Sequence, residues 1–240
     1  MKETYLVHLG RMPYQEAWDL QRQVGDGIRA GQLPDTFLLV EHPPVYTVGR
    51  GARGALTNLL WDEARRQAEG ITLFQVDRGG DITYHGPGQL VGYPIINLNG
   101  YGRDLHGYLR RLEEALIGAL GEFSITADRL APHTGVWVGE EKIAAIGVKA
   151  SHWITQHGFA LNVEPNLEHF MGIIPCGIQD KGVTSMSRLL KRPISLKEVE
   201  PVVERHLARV FGFNFQFVDY PKLFPSNQND LAERPQSRIQ

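Results

Sequence analysis

Between Gly135 and Val163 the sequence reads as strands joined by tight turns. Gly135-Val136-Trp137-Val138 is followed by a turn at Gly139-Glu140-Glu141, by Lys142-Ile143-Ala144-Ala145-Ile146-Gly147-Val148, and by a further run over 153–163. Short β-rich runs punctuated in this way form an antiparallel meander, so the core has to contain a sheet. The stretches around it alternate in kind. Over 14–30 the positions Tyr14, Ala17, Trp18, Gln21, Val24 and Ile28 recur every three or four residues between Pro13 and Gly31, which predicts a helix with one face on a core. Thr36-Phe37-Leu38-Leu39-Val40 and Val45-Tyr46-Thr47-Val48 predict two strands interrupted by His42-Pro43-Pro44. A helix is expected over 57–68, a strand over 71–76, extended chain over 90–98, and a helix capped by Asp104 running to Gly121. Ser195 with Glu198 is a capping box opening a helix through Val210, and Phe213, Phe215 and Phe217 alternate as a closing strand. The expected fold class is therefore α+β (α/β in the broad sense), a mixed, largely antiparallel sheet flanked by helices. With no repeat and no linker-like stretch, one domain over 1–220 is the simplest organisation, followed by a polar tail over 221–240 expected to be loose.

Charge and cysteine usage narrow the function classes. Lys and Arg number 25 against 27 Asp and Glu, a net charge of -2, which gives no cationic excess for nucleic acid. No apolar run approaches the ~18 residues that span a bilayer, and Met1-Lys2-Glu3-Thr4-Tyr5 lacks the apolar core of a signal peptide. The expected setting is cytoplasmic, with no membrane partner. The chain has a single cysteine, Cys176, so an internal disulfide and a multi-thiolate metal site are both excluded and no metal is expected.

Cys176 lies in Ile174-Pro175-Cys176-Gly177-Ile178, where proline fixes the preceding backbone and glycine permits close approach afterwards. Such flanks suit a presented thiol, although the apolar neighbours equally suit a small buried residue. A thiol that ionises at about pH 8.5 needs a base or a cation beside it to be nucleophilic at neutral pH. His85, His157, Lys142 and Lys149 are the candidates. Strand alternation puts Lys142 on the face of Ala144, Ile146 and Val148 and Lys149 on the opposite face, so only one of the two lysines enters a given pocket.

The densest chemical signal is Arg78-Gly79-Gly80-Asp81-Ile82-Thr83-Tyr84-His85-Gly86-Pro87-Gly88-Gln89, which reads as a backbone-lined binding loop and lacks the pattern of a phosphate loop. Gly49-Arg50-Gly51-Ala52-Arg53-Gly54 matches the dinucleotide fingerprint literally. The strand before it is broken by two prolines, and the helix after it starts too late to place a pyrophosphate.

Five ordered segments together resemble the octanoyltransferase family of lipoate biosynthesis. They are Glu41-His42-Pro43-Pro44-Val45-Tyr46-Thr47, the stretch 78–89, 142–148, His157-Gly158-Phe159-Ala160-Leu161-Asn162, and Pro175-Cys176-Gly177, and the likeness extends from about Tyr5 to Phe217. The resemblance implies the fold of biotin and lipoate protein ligase catalytic domains. It also implies transfer of an octanoyl group from octanoyl-acyl carrier protein to a lysine of lipoyl domains, those of 2-oxoacid dehydrogenase complexes and the glycine cleavage H protein, by a monomer without a cofactor. By the same resemblance Cys176 carries the acyl thioester and Lys142 tunes it. Acyl contacts are implied for Arg78, Gly79, Gly80, Asp81, Ile82, Thr83, Tyr84 and His85, for Ala145, Ile146 and Gly147, and for Gly158, Phe159 and Ala160.

Thioester exchange is near-isoenergetic and needs neither ATP nor a metal, in keeping with the missing phosphate loop. His85 with backbone N–H groups of the glycine turns is the expected oxyanion site. Arg50, Arg53, Arg78 and Arg103 are the expected docking patch for an acidic carrier. The competing readings are an ATP-dependent lipoate or biotin ligase of the same fold, a cysteine hydrolase using His85 or His157, and a noncatalytic acyl-binding module.

Overall fold

The computed structural model describes residues 2–52, 56–175 and 181–224. Cys176, and Arg53 and Gly54 of the fingerprint-like segment, lie outside the described residues.

Five helices and two sheets build the described chain. The large sheet runs in the order β12 (Phe213–Phe217), β1 (Lys2–Arg11), β2 (Thr36–Glu41), β6 (Gln89–Ile95), β10 (Ile154–Asn162), β9 (Glu141–Ser151), β8 (His133–Val138), β7 (Asp128–Leu130), with β11 (Gly182–Val183) joined to β9. Strand β1 is parallel to both β12 and β2. Strands β2, β6, β10, β9, β8 and β7 are successively antiparallel. A mixed, mainly antiparallel sheet with helices on its faces is the expected fold class.

One face is covered by α3 (Leu105–Glu122) and α5 (Leu196–Phe211). Their Leu112, Leu116, Leu120, Val199, Val203 and Leu207 meet Phe37, Leu90, Val136, Ala144, Phe159 and Leu161 of the sheet. Asp104 caps α3 by accepting from the Gly107 N–H at 2.9 Å, and Glu198 holds the start of α5 by accepting from the Ser195 N–H at 2.8 Å. The opposite face is covered by α1 (Tyr14–Arg29), whose Ala17, Leu20, Val24 and Ile28 bury against Val7, Leu38, Val91 and Ala160. A second sheet, ordered β4 (Thr72–Gln75), β3 (Val45–Val48), β5 (Ile82–His85), has its own core of Tyr46, Ile82, Tyr84 and Ile173. Tyr14, Val45, Val76, Trp18 and Phe74 pack it against the first turns of α1.

Several expectations need correction. The helix expected over 57–68 begins only at α2 (Glu63–Ala68), because Asp62 caps it by accepting from the Arg65 N–H at 2.8 Å. Leu59, Leu60 and Trp61 are drawn off instead by the segment at 172–174: both Leu60 and Trp61 N–H groups donate to Gly172 O, and Ile174 donates to Asn58 O. Extended chain over 90–98 stops at Ile95, since Asn97 caps a short 3-10 turn over Leu98–Tyr101. The N-terminal strand β1 carried no sequence expectation at all. Of the tail expected over 221–240, the described part ends at residue 224 and includes Leu223, buried in the core under α1; residues 225–240 lie outside the described residues. Among the described residues no helix is long and apolar enough to cross a membrane.

Candidate active site

The central strands β6, β10 and β9 come together at glycines. A methyl group on Gly158 would lie 2.0 Å from Gly92 O, so β10 can sit against β6 here only without a side chain. His157, just before it, holds a left-handed backbone at φ 59, uncommon for a residue with a Cβ. Onto the open edge of β9 comes the loop 78–81, with Gly79 N–H donating to Val148 O at 2.9 Å. The back of that loop is gripped by the segment that mimics a dinucleotide fingerprint. Gly49 N–H donates to Asp81 O, Arg50 N–H to Arg78 O and Gly51 N–H to Gly80 O, and a Cβ on Gly49 would fall 2.4 Å from Gly80 O. The glycines at 49 and 51 therefore serve backbone packing.

Beneath the loop lies a pocket of about 440 Å³, part of it open to solvent. Arg78, Gly79, Gly80, Thr83, His85, Ala145, Ile146, Gly147, Gly158 and Phe159 line it, together with Tyr14, Tyr93 and His157. The stretch 82–85 is strand β5 rather than loop, so its side chains alternate. Thr83 and His85 face the pocket, while Ile82 and Tyr84 turn into the core of the small sheet, where Tyr84 OH bonds His169 Nδ1 at 2.8 Å. Asp81 accepts from Asn58 Nδ2 at 2.6 Å and is not among the lining residues. Ala160 lines an adjoining pocket of about 320 Å³ with Thr83, Gln89, Ala145, Asn162, Phe170, Pro175, Val183 and Lys142.

Lys142 is 6% exposed. Its placement departs from simple alternation because Val136 pairs with Ala144 but Trp137 pairs with Lys142, leaving Ile143 as the extra residue of a β-bulge. The bulge puts Lys142 where the two faces meet. It borders the pocket of Ala145 and Ala160 on one side and a groove with Leu105, Leu109, His133, Ile146 and Val148 on the other. Pro175 and Val183, on either side of the segment that carries Cys176, line the first of these with it. Lys149 is engaged elsewhere, bonding Asp77 Oδ2, whose other oxygen bonds His157 Nε2 at 2.9 Å.

The pocket floor is a set of neutral hydrogen-bonding rings. Burial, helped by the nearby His42 and Arg78, pushes His85 well below the usual histidine range. Burial also lowers His157, against the opposing pull of Asp77, and holds His42 down at about 4. His42 donates through Nδ1 to Met12 O and accepts at Nε2 from Tyr93 OH, each at 2.7 Å. Burial raises Tyr14 and Tyr93 well above the usual phenol range. Asp77 is held well below the ordinary carboxylate range by His157 and Lys149. Such a floor favours an uncharged occupant. Tyr14 and Tyr93 were missed as lining residues, whereas Gln89 and Asn162 end the segments 78–89 and 157–162 that the sequence marks. Tyr14 follows Pro13 at a helix start and Tyr93 sits in the strand after the glycine loop, and neither position marks a pocket on its own.

The buried Arg78 cannot serve in a docking patch: its guanidinium donates to Thr47 O at 2.5 Å, to Thr47 Oγ1 at 2.9 Å and to Gly79 O at 3.0 Å. Arg50 and Arg103 are exposed.

Residues 13–208 match the family described as "Lipoyl protein ligase A/B catalytic domain". The chain belongs to that family. Among its relatives is an octanoyltransferase of Rubrobacter xylanophilus, 53% identical over 204 residues that cover 85% of this chain and 91% of the relative. Octanoyltransferases of Solibacter usitatus and Gloeobacter violaceus are 50% and 48% identical, covering 89% and 88% of this chain and 95% and 92% of their own lengths. With these relatives the chain groups as an acyltransferase of the octanoyltransferase type. A crystal structure of lipoate-protein ligase A bound with ATP superposes with a TM-score of 0.73 at 18% identity, covering 90% of this chain and 89% of the other. A bi-partite lipoate protein ligase from Thermoplasma acidophilum gives 0.70 at 17%, covering 91% and 88%. At such identities these likenesses speak for the fold of the family's members.

Proposed function

We propose that the chain moves an octanoyl group from octanoyl-acyl carrier protein to Cys176, and from there to the lysine amine of a lipoyl domain, with Lys142 as the proton carrier. The observation that carries this reading is the place of Lys142, buried at a β-bulge in a pocket shared with Pro175 and Val183. The adjoining pocket under the glycine loop, with its floor of neutral rings and with the Arg78 guanidinium already bonded to Thr47 and Gly79, supports an uncharged acyl chain as its occupant.

The steps balance without a further reagent. Lys142 Nζ, as the free amine, takes the proton of the Cys176 thiol. The thiolate attacks the octanoyl carbonyl, and the tetrahedral species collapses by breaking the bond to the carrier sulfur, which leaves with the proton from Lys142. In the second half the acceptor amine attacks the Cys176 thioester and gives its proton to Lys142. The cysteine leaves as thiolate and is reprotonated, and an amide results. Of the expected oxyanion donors, Gly79 N–H is already given to Val148 O. The acceptors are taken to be the lipoyl domains of 2-oxoacid dehydrogenases and the glycine cleavage H protein, and the setting the cytoplasm, where the carrier is charged.

Mixing the protein with octanoyl-acyl carrier protein and a lipoyl domain, with and without ATP, tests the reading. Octanoylation of the domain without ATP, abolished by Cys176→Ser and by Lys142→Ala, is the expected result. Modification that needs ATP and free octanoate, and survives Cys176→Ser, would place the chain with the ligases. Release of free octanoate with no acceptor labelled would make it a hydrolase.

A further inference from the structure

Lys142 lies over an aromatic face. The bulge in β9 sets Trp137 of β8 directly opposite Lys142, and Nζ stands 4.7 Å from the indole ring centroid. Both residues are buried, Trp137 at 2% and Lys142 at 6% exposure. At that distance, away from water, a ring face attracts an ammonium more strongly than a neutral amine. The indole N–H makes no hydrogen bond among the described residues, so what this tryptophan presents to its surroundings is its ring.

The neighbouring backbone is arranged around the same lysine stem. Gly135, two residues before Trp137, has φ +131, and a Cβ there would stand 3.5 Å from Lys142 Cε and 3.7 Å from Cδ, and 2.7 Å from Ala144 O. Its N–H donates to Glu113 Oε1 at 3.1 Å. Glu113 is fully buried in α3 and is balanced by Arg110 at 2.6 Å and Arg129 at 2.9 Å. The start of β8 is thus pinned to α3, which fixes where the Trp137 ring lies relative to Lys142.

We propose that Trp137 is the positioning residue for Lys142: its ring face holds Nζ between the pocket of Ala145 and Ala160 and the groove of Leu105 and His133, and stabilises the ammonium that forms each time a proton is taken from Cys176 or from the acceptor amine. The proposal rests on the reading of Lys142 and Cys176 given above. Among the described residues, the other titratable or charged groups around the lysine are left unchanged by replacing the ring. They are His133 beside Trp137 on β8, Glu113 with its two arginines on α3, and Lys181 and Arg188, which flank β11 and pair with Glu140 and Glu141. From β5, β6 and β10 the pocket receives Thr83, Gln89, Ala160 and Asn162.

The experiment compares wild type, Trp137→Phe, Trp137→Leu and Lys142→Ala, with thermal melting to verify folding. Two quantities are read against pH: the single-turnover rate of acylation from octanoyl-acyl carrier protein, and the rate of Cys176 alkylation by iodoacetamide. Weakening the ring's hold on the ammonium leaves less of the thiol proton on Lys142, so the thiolate forms at higher pH. For Trp137→Leu the acylation rate at neutral pH should fall roughly ten- to thirtyfold. The KM for the carrier should stay within about twofold and the alkylation midpoint should move toward that of a free thiol, about 8.5. Trp137→Phe, which keeps a weaker ring face, should recover part of both effects and remains informative if the leucine variant does not fold. Folded Trp137 variants with the wild-type pH profile, beside an inactive Lys142→Ala, would overturn the proposal and make Trp137 a core filler. A fully active Lys142→Ala would instead refute the reading on which the proposal rests.

Discussion

Replacing His42 by glutamine should remove a defined part of the protein's acid sensitivity. His42 is completely buried, donates to Met12 O and accepts from Tyr93 OH, so protonating it would cost both its dry environment and the Tyr93 bond. Burial holds it at about 4 in the folded chain against 6.5 when unfolded. The unfolded chain therefore binds a proton that the folded chain refuses between those values, and stability falls as pH drops through that window. At about 1.36 kcal/mol per unit the full shift is worth about 3 kcal/mol, of which ~2 kcal/mol is lost between pH 7 and pH 5. His85 and His157 are lowered in the same direction, in each case chiefly by burial, which His42→Gln leaves in place. Glutamine can keep both hydrogen bonds without titrating. Urea unfolding at pH 7 and pH 5 should show the wild type losing about 2 kcal/mol more than His42→Gln over that interval. Equal losses in the two proteins would refute the assignment of a buried, neutral His42.

On the alkaline side His8 should act with the opposite sign. Hydrogen bonds to Glu200 and Glu204 raise it to about 9, so its contribution is complete below pH 6.5 and is lost as pH rises through 9. Because the ring is part-exposed, solvent screening leaves about 1 kcal/mol or less, and His8→Gln should flatten the stability curve between pH 7 and pH 9.5 by that amount in the same unfolding assay. His85 lines the pocket under the glycine loop and is not among the residues lining the one that holds Lys142. His85→Ala should accordingly raise the KM for the octanoyl donor several-fold with a smaller change in kcat. A loss of roughly a hundredfold in kcat at unchanged KM would return His85 to the oxyanion role.

The parts of the fold legible in the sequence were those with strong local pattern. The helical periodicity of 14–30, the Asp104 cap and the Ser195 capping box each marked a helix that the structure contains at nearly those bounds. The turn at Gly139 marked the hairpin that carries Lys142. What escaped was set by distant chain. Strand β1 lies between two parallel partners more than twenty-five residues away in sequence, and nothing local announces such pairing. The apolar residues at 59–61 fit a helix by spacing, but the backbone of 172–174 competes for their hydrogen bonds and wins. The bulge at Ile143 comes from pairing with β8, so alternation within β9 alone assigned Lys142 a single face. In the same way the motif 78–85 drew attention to the right segment, while only its strand geometry separates pocket-facing Thr83 and His85 from core-facing Ile82 and Tyr84. The glycines at 49 and 51 show the converse: a pattern that reads as nucleotide binding serves to back the loop at 78–81.

The central claim is a covalent octanoyl intermediate on Cys176, and the most direct measurement is rapid-quench peptide mapping. The protein is mixed with octanoyl-acyl carrier protein in the absence of ATP, quenched in acid, and digested. The account predicts an octanoyl adduct on the peptide containing Cys176 that builds up before any acceptor is added. It then disappears at the rate at which an added lipoyl domain gains the group. Acceptor labelling at full rate with Cys176 unmodified throughout would contradict the account.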